Sequence, residues 1–284
     1  MATVLITGCS SGIGRATARH LAARNWTVYA TARRLGAIED LAAEGCQLLE
    51  LDVTDEASMV TAVGTVERNH GAVDALVNNA GYGEYGPVEE VPLDAARREF
   101  ETNVFGLARM AQLVLPGMRR QQHGRIVNVG SMGGRFTFPG GGWYHASKYA
   151  VEALSDALRF EVRSFGIAVV VIEPGTIKTR FAETAVGEAE AVDAPDLPRG
   201  DGPYARFNAA MAKTVHGAYE GALGRMAVGP EAVAKVIEKA LTSDRPRARY
   251  PVTAGARVML GVRKVLPDRA FDAVLRTQFA SPGD

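Results

Sequence analysis

The chain has 284 residues with 32 Lys+Arg against 32 Asp+Glu, so no net field points to nucleic acid or to an acidic surface. Hydrophobic residues make up 47% and charged residues 23%, the balance of a globular protein, and the length suits one large α/β domain. No apolar run reaches the ~20 residues that span a bilayer, the N-terminus lacks the pattern of a secretory signal, and the two cysteines, Cys9 and Cys46, read as free packing thiols in a reducing cytoplasm.

Thr3-Val4-Leu5-Ile6-Thr7 predicts a strand that runs straight into Gly8-Cys9-Ser10-Ser11-Gly12-Ile13-Gly14, with a helical pattern (Ala16, Ala18, Leu21, Ala22) behind it. Strand, glycine loop and helix in that order form a phosphate-binding turn. Gly8 permits the tight turn, Gly12 lets a pyrophosphate approach the backbone, and Gly14 lets helix and strand pack closely. The free N–H groups of the helix start face the anion.

Trp26 to Thr31 predicts the second strand, ending in Ala32-Arg33-Arg34. In a dinucleotide fold this tip meets the adenosine ribose. An acid there takes the 2′-hydroxyl of NAD and a base accommodates the 2′-phosphate of NADP. The tip carries Arg33 and Arg34 and no acid, so NADP(H) is preferred over NAD(H).

Gln47–Leu51 predicts a third strand before Asp52-Val53, followed by a helix over Asp55–His70. Asp74–Val77 predicts a fourth strand running into Asn78-Asn79-Ala80-Gly81, where small residues let a cofactor lie against backbone and Asn79 can tie strand ends together. One long helix is expected from about Asp94 to Gln121, with Asn103 buried inside it and in need of partners. Arg125–Gly130 predicts the fifth strand, Ala146–Phe165 a helix, and Ile167–Ile172 a sixth strand buried on both faces. Pro174-Gly175-Thr176-Ile177-Lys178-Thr179 follows. Six strands alternating with helices predict a doubly wound, mostly parallel sheet with helices on both faces, and Arg249–Val252 adds a candidate seventh strand.

Thr184–Pro203 is acidic and rich in Ala, Pro and Gly, the composition of a lid or binding loop, so residues 180–228 are expected to form a substrate loop. Helical patterns resume at Tyr204–Glu220 and Pro230–Thr242. Residues 1–250 are expected to form one domain, with 251–284 as a C-terminal extension packed on it. From Arg245 to Arg276 there are eight Lys/Arg and two Asp among apolar residues. Such a tail can touch a membrane surface, or it can cover the substrate site or a partner subunit.

The chemistry centres on Ser131 to Lys148. Lys148 follows Tyr144 by four positions, about one helical turn, so the two share a face. An ammonium near a phenol favours the phenolate and draws tyrosine down from ~10 toward working pH. Such a tyrosine exchanges a proton with a carbonyl or alcohol oxygen. Ser131, at the end of the fifth strand, can aim its hydroxyl at the same oxygen. The glycine-rich run before Tyr144 makes the backbone there hard to place, and Trp143 either lines the pocket or packs.

Together, Thr7-Gly8-x-x-x-Gly12-x-Gly14, Asp52-Val53, Asn78-Asn79-Ala80-Gly81, Asn103, Ser131, Tyr144-x-x-x-Lys148 and Pro174-Gly175 resemble the short-chain dehydrogenase/reductases, over about residues 1–250. The resemblance implies a Rossmann sheet and a catalytic set of Asn103, Ser131, Tyr144 and Lys148. Tyr144 would be the general acid/base and Ser131 would polarise the carbonyl. Lys148 would lower the tyrosine pKa and bind the nicotinamide ribose, and Asn103 would hold a proton-relaying water. It also implies cofactor contacts from Gly8, Ser10, Ser11, Gly12, Ile13, Gly14, Arg33, Asp52, Val53, Asn79, Ala80, Gly81, Lys148, Pro174, Gly175, Ile177 and Thr179, with no metal. The run Val28–Arg33 and the extended C-terminus resemble the NADP-linked steroid and retinol dehydrogenases and carbonyl reductases of the family, which implies a bulky apolar alcohol or ketone. A homodimer or homotetramer is expected from surplus apolar residues on the helix after Ala146. Two rivals stand beside this: a nucleotide-sensing or scaffold protein on the same fold, and a nucleotide-sugar epimerase or dehydratase, whose usual second domain this chain lacks.

Overall fold

The computed structural model describes residues 2–179, 203–211 and 227–277. The acidic insertion lies outside the described residues. So does most of the expected 180–228 loop and of the helix expected over Tyr204–Glu220, of which a helical stretch at 205–211 is described.

In chain order the elements are β1 (Thr3–Ile6), α1 (Gly12–Ala22), β2 (Thr27–Ala32), α2 (Asp40–Ala43), β3 (Gln47–Glu50), α3 (Glu56–His70), β4 (Ala75–Asn78) and α4 (Leu93–Phe100). A π-helical turn (Glu101–Gly106) leads to α5 (Leu107–Arg120), β5 (Gly124–Val129), α6 (Gly142–Glu161) and β6 (Ile167–Glu173), and then to α7 (Pro230–Thr242), β7 (Arg249–Pro251), α8 (Ala254–Val265) and α9 (Asp268–Arg276). The strands form one sheet of order β3-β2-β1-β4-β5-β6-β7, with every pair parallel.

Strand alternation builds a core on each face of that sheet. Val4 and Ile6, Val77, Val127 and Ile172 pack with Leu21 of α1 and with Val233 and Ile237 of α7 on one face. Leu5, Leu76, Ile126 and Val169 pack with Val63 and Val66 of α3 and with Met110, Val114 and Met118 of α5 on the other. Each fully buried Leu, Ile or Met contributes roughly 1.5–3 kcal/mol. Local signals set the helix ends. The Asp55 carboxylate accepts from Ala57 N at 3.0 Å to start α3, Gly71 at φ 83° closes it, and Pro230 occupies the first turn of α7.

The chain order reverses between β1 and β4. That reversal opens a crevice at the carboxyl ends of those strands, where a dinucleotide fold holds its ligand. Two expected helices differ in detail. The single helix expected over Asp94–Gln121 is α4 and α5 joined by the π turn, with Asn103 inside the turn. The helix expected from Ala146 begins at Gly142 and ends at Glu161, with a short 3₁₀ turn at Arg163–Phe165. The three glycines before Trp143 had masked that start.

Both cysteines are buried, and burial pushes the Cys9 thiol up to about 12 and the Cys46 thiol up to about 11. They pack, as the sequence suggested. In the tail, the Thr253 hydroxyl accepts from Ala256 N at 3.0 Å to start α8, and Phe271 of α9 meets Phe136 edge-on at 5.8 Å between centroids.

Candidate active site

The glycine loop lies against the end of β4. Asn79 Nδ2 donates to Thr7 O at 2.9 Å and Gly8 O at 3.0 Å, and the Thr7 hydroxyl accepts from Asn79 N and Ala80 N, both at 2.9 Å. The strand-tying role read for Asn79 is therefore present. A methyl group at Gly14 would lie 2.4 Å from Asn79 Nδ2 and from Gly8 O, so only glycine lets α1 come this close. Ser10 and Ser11 are exposed, and Ser11 precedes α1 without a side-chain cap. The first-turn N–H groups of α1, at Gly12, Ile13 and Gly14, have no intrahelical acceptor. Across the slot, a methyl at Gly12 would lie 3.3 Å from Thr179 Cγ2, which brings the Pro174–Thr179 segment to the loop's other wall. Ile177 bridges to Val228, and Pro174 O accepts from Met132 N at 3.0 Å.

At the β2 tip, Arg33 and Arg34 are exposed and neither forms an ion pair among the described residues. Arg15, by contrast, is held by Asp40 and by Ser10 O and Ala37 O. Arg33 and Arg34 are thus the cations at this strand tip that no ion pair among the described residues holds. Asp52 follows β3, its carboxylate accepting from Thr54 N at 2.9 Å and Thr54 Oγ1 at 2.7 Å, and Val53 is buried next to it.

The four residues expected to carry the chemistry come from three places: the π turn, the end of β5, and α6. Tyr144 and Lys148 share a face of α6, with Lys148 Nζ 5.8 Å from the Tyr144 ring centroid. Lys148 is buried and donates to Val129 O at 3.1 Å. Burial pushes its ammonium down to about 8, against an opposing pull from Glu99. Ser131 follows β5, and its hydroxyl accepts from Gly133 N at 3.0 Å to cap the Met132–Gly134 turn. The Asn103 amide is fully engaged. Its two N–H groups face three acceptors, Tyr82 O at 2.8 Å, Ser147 Oγ at 3.0 Å and Glu99 Oε1 at 3.2 Å from Nδ2, and its Oδ1 accepts from Tyr82 N at 3.1 Å. The buried polar group foreseen at this position has its partners.

An apolar wall stands beside Tyr144. Tyr85 stacks on it at 5.6 Å between centroids, and Phe207 and Met211 pack in the same cluster with Phe138 and Tyr204 partly buried against it. Trp143 packs edge-on against Phe100 of α4 at 6.4 Å. His145 is buried edge-on against Phe138 at 4.2 Å and Tyr144 at 5.5 Å between centroids, its Nδ1 2.8 Å from Gly133 O, and burial pushes it down to about 4, so it is neutral near pH 7.

The residues of this site not read from the sequence include Glu99, Ser147, Glu84 and Tyr85, along with Phe138, Phe207 and Met211 of the apolar wall. Glu99 and Asn103 stand four apart on what reads as one apolar helix, and an acid at that spacing from a buried amide was the available signal. Glu84 and Tyr85 lie in an irregular loop that carries no periodic pattern.

The fold, the glycine loop at the strand crossover and the paired Tyr144 and Lys148 define a dinucleotide-dependent oxidoreductase class. The chain belongs to the short-chain dehydrogenase family, whose profile, described as short chain dehydrogenase, matches residues 2–189. The family's members are oxidoreductases that bind a nicotinamide cofactor. The mouse protein named 17-beta-hydroxysteroid dehydrogenase type 1 is 38% identical over 265 residues, covering 87% of this chain and 72% of its own. A solved short-chain dehydrogenase from Streptomyces avermitilis superposes with a TM-score of 0.80 at 33% identity, covering 97% of this chain and 95% of its own. A serine dehydrogenase, solved in a closed form complexed with NADP+, gives a TM-score of 0.75 at 26% identity over 88% of this chain and 94% of its own. No helix among the described residues is long and apolar enough to cross a membrane.

Proposed function

We propose that the chain interconverts a secondary alcohol and a ketone, or an aldehyde and its primary alcohol, with NADP(H), using Asn103, Ser131, Tyr144 and Lys148. The observation that carries this is the placement of Lys148 Nζ 5.8 Å from the Tyr144 ring, on the helix bordering the strand-crossover crevice. The residues present fit a dinucleotide: the close-packed loop at Gly8 and Gly14 leaves backbone N–H groups free at the start of α1, and Arg33 offers an unpaired charge for a 2′-phosphate. When bound, the cofactor supplies or accepts the hydride. Tyr144 gives the carbonyl oxygen its proton in reduction and takes the alcohol proton in oxidation. The Lys148 ammonium stabilises charge on the phenol oxygen. Ser131 donates a hydrogen bond to the reacting oxygen. Ser10, Ser11, Asp52, Val53, Asn79, Ala80, Gly81, Pro174, Gly175, Ile177 and Thr179 line the cofactor side.

The aromatic wall of Tyr85, Phe138 and Phe207 favours a bulky apolar substrate, and the similarity to a protein named for steroid chemistry points the same way. Outward apolar residues on α6 and just before α5 (Tyr149, Leu154, Phe105) support a homo-oligomer. α8 turns Val258 and Val265 to solvent on a helix whose charged residues are Arg257, Arg263 and Lys264, which suits peripheral contact with an anionic membrane of an otherwise cytoplasmic protein. Residues 1–250 act as the catalytic domain, with 251–284 as its extension.

The test is a panel of apolar ketones with NADPH, and of the matching alcohols with NADP+, followed by cofactor absorbance. Turnover that vanishes in Tyr144→Phe supports the assignment. Tight NADPH binding with no turnover anywhere on the panel supports the nucleotide-sensing alternative instead.

A further inference from the structure

Glu99 is fully buried at the end of α4 and takes part in no step of the proposed chemistry. Its Oε1 accepts from Asn103 Nδ2 at 3.2 Å and lies 3.2 Å from Ser147 Oγ, whose hydroxyl it shares with Tyr144 O at 2.8 Å, and its Oε2 accepts from Glu84 N at 3.2 Å. One carboxylate thus clamps the π turn, α6 and the loop after β4, the segments that carry Asn103, the Tyr144–Lys148 pair and Gly81. Glutamate needs no burial to make a helix or to cap one, and a buried charge costs several kcal/mol unless it is compensated. The nearest compensating charge is Lys148, which is buried as well.

We propose that Glu99 is a positioning residue of this site: its carboxylate anchors the Asn103 amide and, when ionised, places a negative charge behind Lys148 that favours the ammonium. This rests on the reaction proposed above. Among the described residues few ionisable groups face Glu99. Glu84 and Tyr82 come from the loop after β4, and Lys148 comes from α6. Arg98, on α4 itself, is exposed and acts on Glu84. Glu84 is a second buried carboxyl, and its Oε1 has no hydrogen-bond partner among the described residues. Burial pushes the Glu99 carboxyl up to about 7, with Glu84 raising it further and Lys148 opposing. Burial raises the Glu84 carboxyl as well, and a like charge there disfavours ionisation of Glu99, so the ionised fraction of Glu99 sets the field at Lys148.

The test compares Glu99→Gln, which keeps the volume and one acceptor oxygen, with Glu99→Asp, which keeps the charge. Glu99→Gln is expected to lower kcat about tenfold or more while NADPH affinity stays within about twofold. The alkaline limb of its kcat profile should move down by about 0.5 pH unit or more, and Glu99→Asp should return the limb toward wild type. A kcat loss with the limb unmoved, or no effect at all, overturns the proposal. Should the wild type bind NADPH and turn over nothing, the reaction reading has failed while this one stays open to test. The Lys148 Cε resonance in 13C-lysine protein, assigned by its absence from Lys148→Arg, should then titrate lower in Glu99→Gln, and an unmoved midpoint rejects the anchor.

Discussion

Asn103 and Lys148 converge on one α-carbon. A methyl group built on Gly81 would lie 2.8 Å from Asn103 Oδ1 and 3.6 Å from Lys148 Nζ. The hydrogen of Gly81 is what lets the amide from the π turn and the ammonium from α6 share this space. Gly81→Ala should push the Asn103 side chain off its bonds to Tyr82 while leaving the strands untouched. The expected result is a loss of kcat of about 10–100-fold with a small drop in melting temperature. Unchanged kcat in a folded Gly81→Ala protein would show that this spacing does not matter to turnover.

Tyr144→Phe removes one oxygen from a ring that keeps its stacking on Tyr85. The aromatic wall and the cofactor slot stay filled, so NADPH binding followed by fluorescence should change little. Turnover should fall by about 10²–10⁴-fold, the range a positioned general acid supplies. Wild-type rates on a verified substrate would remove Tyr144 from the mechanism.

Arg33 is exposed at the β2 tip, while Arg15 of α1 is neutralised by Asp40. A 2′-phosphate read by Arg33 would therefore meet a cation that no ion pair among the described residues compensates. A hydrogen bond to a charged group is worth about 1.5–3 kcal/mol, so Arg33→Asp should weaken NADPH by roughly 10–100-fold or more. NADH should hold or gain slightly, since the new acid suits a free 2′-hydroxyl. Equal losses for both in parallel titrations would show that the phosphate is not read at this residue.

The sheet was legible because its signals are local. β1 alternates Val4, Leu5 and Ile6 between two cores, the glycine loop follows within two residues, and Pro230 marks the start of α7 where the sequence placed it. The Tyr144–Lys148 pair was legible for the same reason, since one helical turn relates the two. What escaped depends on contacts distant in sequence. Glu99 gains its meaning only when α6 delivers Ser147 and the loop after β4 delivers Glu84 N, which no periodicity announces. The π turn is also invisible locally: Glu101–Gly106 reads as ordinary helix, and its widening accompanies the Asn103 amide's bonds to Tyr82. The start of α6 was hidden by Gly140, Gly141 and Gly142, poor helix formers held in place by packing against His145, Met211 and Val88.

Burial of Lys148 sets a pH window for both rate and stability. Its ammonium falls to about 8 in the fold, against 10.5 as the ordinary value. In the reductive direction kcat should therefore decline as pH rises through about 8, when the side chain goes neutral. The sign for stability is opposite. Below pH 8 the lysine is charged in both states and the fold bears the whole desolvation cost, on the order of 3 kcal/mol. Between about 8 and 10.5 the unfolded chain alone holds the proton, so the cost fades as pH rises. Lys148→Met should then melt a few degrees above wild type at pH 7, lose that advantage by about pH 10, and show no turnover. Thermal melts across that range decide it: a Lys148→Met protein less stable than wild type at pH 7 would mean that the bond to Val129 O and the compensation of Glu99 outweigh the cost of the buried ammonium.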